Sequence, residues 1–161
     1  MSPAASPARP AARAYVGIGA NLGDARAAVL RAMDALAALP GTREAARSSL
    51  WRSAPVDAGG PDFVNAVVAL DTALAPAEVL AQLQRIEADA GRERPYRNAP
   101  RTLDLDLLLH GDARVDTPAL TLPHPRMHQR AFVLRPLAEI APERVAPGWL
   151  DAVAGQRIER L

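Results

Sequence analysis

Two aspartates, Asp104 and Asp106, lie two residues apart in an otherwise apolar run, TLDLDLLLH. In a β-strand, residues i and i+2 project from the same face, so the two carboxylates would stand side by side while the intervening leucines face the core. Like charges repel and favour a cation between them. Mg²⁺ suits such oxygens and is usually held by one or two carboxylates plus substrate phosphates. The pair therefore indicates a magnesium-phosphate site, although Asp-x-Asp also occurs as the polar side of a half-exposed strand.

Arginines crowd the segment just before this strand, at Arg92, Arg94, Arg97 and Arg101. Such a run is often only a solvated surface. The guanidinium group, however, binds phosphate oxygens in a bidentate geometry, and phosphoryl transfer depends mainly on positioning and charge neutralisation. An arginine-rich loop that leads into an acidic strand therefore predicts a polyphosphate site.

Another apolar segment carries an aromatic and an amide side chain, Phe63 and Asn65, that would share one strand face. Together they can stack on a flat heterocycle and hydrogen-bond its edge; the alternative is that Asn65 is a satisfied core amide. His124 and His128 have the four-residue spacing of a metal pair. Because Pro125 interrupts the helix that would align them, we expect no zinc site there.

The elements that would position these residues follow the order β-α-β-β-α-β over residues 15–109. We expect strands at 15–19, 42–52 (best at 49–51), 63–72 and 102–110, with helices at 24–39 and 76–90 and loops at 53–62 and 92–101. This order predicts an α+β, ferredoxin-like fold, an antiparallel sheet with two helices on one face. A hairpin near 111–115, a loop at 121–129, a helix or turn at 131–140 and a mixed tail to 161 would add to that unit.

Composition excludes several kinds of chemistry. The chain has no cysteine and no lysine, which excludes disulfides, thiolate metal sites, lysine Schiff bases and phosphate loops of the GxxxxGK type. Gly17 and Gly19 form a GxG without the third glycine of a dinucleotide fingerprint. With 19 basic and 18 acidic residues, the chain lacks the positive surface of a nucleic-acid or membrane binder. Its apolar runs are far shorter than a membrane-spanning segment.

The length of 161 residues fits one domain. We expect residues 1–13, rich in Ala, Pro and Arg, to be a disordered tail, and residues 14–161 to form a single domain of a cytoplasmic protein.

Five segments of the chain resemble the family of 6-hydroxymethyl-7,8-dihydropterin pyrophosphokinases of folate biosynthesis. They are GIGANLGD at 17–24, FVNAVVAL at 63–70, QRIEADAGRER at 84–94, APRTLDLDLLL at 99–109 and LPHPRMHQRAFVLRPLAEIAP at 122–142. The resemblance implies the ferredoxin-like fold. It also implies transfer of a pyrophosphoryl group from ATP to the hydroxymethyl oxygen of the pterin with release of AMP, and two Mg²⁺ ions bridged by Asp104 and Asp106.

The same resemblance implies a role for individual positions. The pterin would contact Ser53, Ala54, Val56, Phe63, Asn65 and Phe132. ATP would contact Gln84, Glu87, Arg92, Arg101, Thr121, His124 and Arg130. The catalytic residues would be Arg92, Arg94, Arg101 and Asp106.

The chain departs from the family pattern at a few positions. Phe63 stands where some members have tyrosine, Ser53-Ala54 replaces a Thr-Pro pair, Asn98 replaces a tryptophan, and Ala119 replaces an arginine. No residue is an obvious general base; Asp106 and a metal-bound path are both open. The alternative function is a non-catalytic pterin- or nucleotide-binding domain of the same fold, but intact carboxylates and arginines favour the enzyme. We expect a monomer.

Overall fold

A computed structural model of the chain describes residues 11–54, 61–91 and 103–161. In these ranges the strands are β1 (Ala12–Ala20), β2 (Thr42–Arg47), β3 (Trp51–Ser53), β4 (Phe63–Thr72), β5 (Asp104–His110), β6 (Val115–Asp116), β7 (Thr121–Leu122) and β8 (Ile158–Arg160). The helices are α1 (Ala25–Ala37), α2 (Pro76–Gly91), α3 (Ala131–Ile140) and α4 (Trp149–Ala152), with 3-10 turns at Met127–Gln129 and Pro142–Arg144. None of the described helices is long and apolar enough to cross a membrane.

The main sheet has the strand order β5-β1-β4-β3-β8, and β2 also pairs with β4. Its neighbouring strands are antiparallel. Because β2 and β3 pair with opposite ends of β4, they together occupy the place of one strand of the ferredoxin-like unit. The predicted α+β, ferredoxin-like architecture is therefore confirmed, with β8 added at one edge.

The prediction of a single strand over 42–52 is wrong, because this segment divides into β2 and β3. The division occurs at Ser48, whose N–H donates to the Val67 carbonyl at 2.9 Å while its Oγ accepts from the Val67 N–H at 2.9 Å. A side-chain hydroxyl therefore replaces a backbone carbonyl in the pairing with β4. The interruption covers residues 48–50, so it includes two of the three residues 49–51 predicted to be the best part of the strand.

The sheet is covered on both faces, by different helices. On one face, α1 and α2 pack against a core that includes Val16, Ile18, Leu36 and Leu83. On the opposite face, α3 packs its buried side chains against a second core, which includes Tyr15, Val67, Leu109, Val133 and Leu137. The second core explains why β4 is apolar on both sides and why its sequence is nearly continuous in hydrophobic residues.

A β-bulge divides β5. Val16 pairs with Leu107 and Tyr15 pairs with Leu109, so Leu108 is an extra residue between two regular pairs. Before the bulge, Leu105 and Leu107 face α1 and α2. After it, Leu109 lies on the α3 face together with Leu108.

The N-terminal boundary differs from the expected one. Strand β1 begins at Ala12, opposite Thr72, and therefore includes two residues of the segment 1–13 that we expected to be a disordered tail. Arg13 continues the pairing and forms an ion pair with Asp71. The alternating apolar pattern begins only after these residues, which is why the sequence did not indicate them. Residues 1–10 lie outside the described ranges.

Candidate active site

A cavity of about 950 Å³ opens on the α3 face of the sheet, beyond the end of the second core. Its floor is formed by β1, β4 and β5, and its walls include β3, the N-terminus of α3 and the C-terminal tail. Eight of the predicted site residues line it: Ser53, Ala54, Phe63, Asn65, Asp104, Asp106, Arg130 and Phe132. The fold therefore brings together the predicted phosphate and heterocycle residues, which are spread over residues 53–132 of the chain.

Two glycines form the floor between the acidic and aromatic parts of this cavity. Gly17 pairs with Asp106, whereas Gly19 pairs with both Asp104 and Asn65. A Cβ atom at Gly19 would lie 3.1 Å from the Asn65 Nδ2 atom, closer than an ordinary contact. The second glycine of the GxG motif thus has a spatial role, since the missing side chain at Gly19 leaves room for the Asn65 amide above the sheet.

The amide of Asn65 lies at the aromatic end of the cavity. It is buried, and the Ser53 Oγ donates to its Oδ1 at 2.5 Å. This bond orients the amide with its Nδ2 group above Gly19. Phe63 and Phe132 line the same cavity. The arrangement provides aromatic surfaces and an oriented hydrogen-bond donor, which suits a planar heterocycle with polar edges.

The acidic end of the cavity contains the aspartate pair. Asp104 is exposed and the Asp106 side chain is 46% exposed, so both carboxylates are accessible. His124 Nε2 lies 4.0 Å from Asp106 Oδ1. The Arg126 N–H donates to His124 Nδ1 at 3.2 Å, which leaves the hydrogen of the neutral ring on Nε2, the atom nearer Asp106.

Several groups act on the protonation of His124. Burial lowers its pKa below the usual value; Asp106 opposes this effect, while Arg130 and Arg126 add to it. The neutral imidazole is therefore favoured at pH 7, and its Nε2–H remains a hydrogen-bond donor. The His124 backbone N–H also donates to the Leu108 carbonyl at 2.9 Å, which holds the histidine loop against β5.

A family model described as 7,8-dihydro-6-hydroxymethylpterin-pyrophosphokinase matches residues 15–142. The chain belongs to this family. It is 48% identical to the 2-amino-4-hydroxy-6-hydroxymethyldihydropteridine pyrophosphokinase of Pseudomonas aeruginosa, over 92% of this chain and 96% of the relative. It is 47% identical to the protein of the same name from Methylorubrum extorquens, over 84% of this chain and 87% of the relative.

Solved structures support the fold of the pyrophosphokinase family for this chain. A crystal structure of Plasmodium falciparum HPPK-DHPS with pterin and p-hydroxybenzoate matches with a TM-score of 0.69 at 13% identity. The match covers 94% of this chain and 45% of that one, so the present chain spans less than half of the solved protein's length. At this identity the likeness concerns the fold alone.

Other predicted site residues of this pyrophosphokinase-family chain are not part of the described cavity lining. Glu87 lies on α2, and its Oε2 accepts from the Leu105 N–H at 2.8 Å, so it holds the acidic strand at its outer edge. Gln84 is exposed on α2, and Thr121 lies on β7 opposite Asp116. The ATP roles of these residues stay predictions. Four predicted residues, Val56, Arg92, Arg94 and Arg101, lie outside the described ranges.

Sequence reasoning did not identify several residues of the cavity wall. They are Asn21, Arg126, Gln129, Gln156 and Arg157. Gln156 and Arg157 come from the tail, where no periodicity or motif marks them. Contacts between distant segments bring this tail to the cavity: β8 pairs with β3, and the Gln156 side chain bonds to the backbone of Gln129 and Ala131.

Proposed function

We propose that this chain transfers a pyrophosphoryl group from ATP to the hydroxymethyl oxygen of 6-hydroxymethyl-7,8-dihydropterin and releases AMP. One observation carries the proposal: a single cavity joins an aromatic and amide end to an acidic end with an arginine beside it. A transferase needs both parts, because the acceptor and the phosphate donor must meet in one space. Membership of the pyrophosphokinase family supports the reaction class.

We assign the pterin to the end formed by Phe63, Phe132 and Asn65. Their aromatic rings would stack on the heterocycle, and the Asn65 amide, oriented by Ser53, would donate to an acceptor on its edge. Ala54 lies in the same wall. The proposed role of Val56 rests on the family resemblance.

We assign the triphosphate to the opposite end. Arg130 would neutralise phosphate charge, and neutral His124 would donate its Nε2–H to a phosphate oxygen. By family resemblance, Arg92, Arg94 and Arg101 would supply further positive charge, while Gln84, Glu87 and Thr121 would contact the nucleotide.

We further propose that Asp104 and Asp106 hold Mg²⁺, with two ions in each site. The donor set supports this fit, since both carboxylates are accessible on one strand face. Across the described ranges, no group of three or more His, Cys, Asp or Glu residues could hold a metal. Two protein donors would leave coordination positions for phosphate and water, as Mg²⁺ prefers. When bound, Mg²⁺ would neutralise charge on the phosphates.

A monomer in the cytoplasm is the form in which we expect this reaction. One chain supplies both ends of the cavity, which supports a monomeric site. The proposed reaction consumes ATP, which supports the cytoplasm as its compartment.

The test is to incubate the protein with ATP, Mg²⁺ and the reduced pterin alcohol and to identify the nucleotide product. We expect AMP and pterin diphosphate in equal amounts, dependent on Mg²⁺. Formation of ADP would contradict pyrophosphoryl transfer. Tight pterin binding without turnover would instead identify a non-catalytic binding domain.

A further inference from the structure

The side chain of Gln156 makes two hydrogen bonds with the backbone around Arg130. Its Oε1 accepts from the Ala131 N–H at 2.9 Å, and its Nε2 donates to the Gln129 carbonyl at 2.8 Å. These are the residues immediately before and after Arg130. One amide side chain therefore fixes the backbone on both sides of the arginine.

The backbone at Arg130 has a particular need for such support. Arg130 joins the 3-10 turn Met127–Gln129 to α3 with extended dihedral angles, φ −126° and ψ 112°. It occupies the N-cap position of α3, but its side chain makes no capping hydrogen bond. The first N–H groups of a helix lack partners within the helix. Gln156 provides one of them with an acceptor, so the Arg130 side chain can point elsewhere.

Gln156 is itself held in place by the tail. Its N–H donates to the Val153 carbonyl at 3.0 Å, and β8 begins two residues later and pairs with β3. The tail therefore connects Arg130 to the strand that carries Ser53.

Phe132, another residue of the cavity lining, is anchored differently. It follows Arg130 by two residues, but it lies within α3, where Val133 and Leu134 are 4% and 0% exposed. Packing of these neighbours positions Phe132. The Arg130 guanidinium carbon lies 5.5 Å from the centroid of the Phe132 ring and lines the cavity with it.

We propose that Gln156 is a positioning residue that acts through Arg130. By fixing the backbone on both sides, it directs the guanidinium toward the space where the proposed function puts the triphosphate. This inference rests on that proposed function for the identity of the ligand. Because small misplacements of a charge-neutralising group slow transfer more than they weaken remote contacts, kcat should respond more than the KM for pterin.

The decisive variant is Gln156→Met, which keeps the length of the side chain and removes both hydrogen bonds. We expect kcat to fall about tenfold with KM for pterin within about twofold of wild type. The matched control is Glu159→Gln, three residues along the same tail, which removes an ion pair with Arg52 on the exposed surface. It should leave both parameters unchanged.

A double-mutant cycle with Arg130→Ala separates positioning from a general structural effect. If Gln156 acts through Arg130, Gln156→Met should reduce kcat by less than about twofold in the Arg130→Ala background. An equal reduction in both backgrounds would overturn the proposal, as would wild-type kcat for Gln156→Met.

The same four proteins distinguish this proposal from the proposed function. If wild type forms no AMP, the proposed function fails, and the cycle is repeated on the dissociation constant for α,β-methylene-ATP. Weaker binding in Gln156→Met that disappears in the Arg130→Ala background would support positioning. Unchanged or additive binding would overturn it.

Discussion

One face of the sheet is divided into two regions that are built from the same three strands. We call them the closed half, where α3 covers Tyr15, Val67, Ala69 and Leu109, and the open half, which carries Gly17, Gly19, Asn65, Asp104 and Asp106. Each of β1, β4 and β5 runs from one half into the other. Along a single strand, the side chains that face α3 therefore change from apolar to small or polar.

The difference between the halves teaches how a small domain accommodates a large cavity. In the closed half, burial of apolar surface stabilises the fold by roughly 25 cal/mol per Å². The open half leaves carboxylates and glycines accessible and contributes little burial. The helices α1 and α2 cover the other face along its length, so the sheet beneath the open half is still supported. Substitutions in the two halves should therefore affect different measured quantities.

The largest expected effect is on activity, from the open half. Asp104→Asn or Asp106→Asn should lower kcat by about 10³-fold or more, because each removes a negatively charged ligand of the proposed Mg²⁺. The free energy of unfolding should stay near that of wild type, since the carboxylates are accessible. Steady-state kinetics and urea unfolding measure the two quantities. Asp112→Asn, beyond the other end of β5, is the control, and near-normal turnover in either test variant would reject the metal assignment.

The next effect is on stability, from the closed half. Leu137 is 0% exposed, and Leu137→Ala should lower the free energy of unfolding by about 2–5 kcal/mol through lost burial and a cavity. Turnover per folded molecule should remain near that of wild type. The control Leu150→Ala removes a side chain from a residue that is 37% exposed and should cost less than about 1 kcal/mol. Loss of turnover in fully folded Leu137→Ala would show that the halves are coupled.

A smaller effect is expected at the floor of the open half. Gly19→Ala should weaken pterin binding about tenfold, because the new Cβ would displace the Asn65 amide. Gly17→Ala is the matched control, since its Cβ would lie an ordinary 3.6 Å from Leu108 Cδ1. Titration calorimetry with the pterin compares the two variants. Equal pterin affinities of the two variants would show that pterin binding does not depend on the present position of the Asn65 amide.

The smallest effect concerns Glu139 on α3, which accepts hydrogen bonds from Ser49 and from Trp51 Nε1. Burial alone would raise its pKa, but the hydrogen bonds from Ser49 and Trp51 and the charge of Arg160 outweigh burial and lower it. A lowered carboxyl pKa contributes stability above the unfolded value, about 4.3, and this contribution is lost as pH falls through the folded value.

Glu139→Gln should therefore reduce the free energy of unfolding by about 1 kcal/mol at pH 7. The deficit should shrink as the pH falls below the unfolded value of about 4.3 and through the lowered pKa of folded Glu139. Urea unfolding between pH 3 and 7, at about unit intervals, follows the difference. Exposed Glu143→Gln provides the control, and a deficit that does not depend on pH would contradict the electrostatic explanation.

Sequence patterns predict the open half better than the surroundings that shape it. Alternation places Asp104 and Asp106 on one face, and a polar residue in an apolar strand marks Asn65, because these signals depend on neighbours in the chain. The role of Gly19 depends on Asn65 across the sheet, and the role of Gln156 depends on the tail. Contacts between distant segments produce no periodic pattern in the local sequence, so the sequence does not predict them.

The same limit explains the errors in the predicted elements. The segment 42–52, TREAARSSLWR, has only a weak strand pattern, and nothing in it marks that the Ser48 hydroxyl takes over one backbone contact and divides the strand. The sequence pattern over 131–140 predicts only a helix or turn, and the structure has helix α3 there. Its position opposite α1 and α2 follows from the apolar residues of β4, whose second buried side requires a partner.

Because of the bulge at Leu108, the side chains of β5 alternate between the two faces of the sheet in opposite phase before and after it. Before the bulge, Asp104 and Asp106 lie on the face of the cavity, so the even-numbered residues point to α3. After the bulge, Leu109 points to α3 and His110 points away from it. If β5 paired regularly without the bulge, Leu108 would lie opposite Tyr15, Leu109 would turn away from α3, and His110, which now contacts the Leu74 carbonyl at 2.8 Å, would turn onto the α3 face. The bulge therefore lets one strand present the acidic pair to the cavity and both Leu108 and Leu109 to α3.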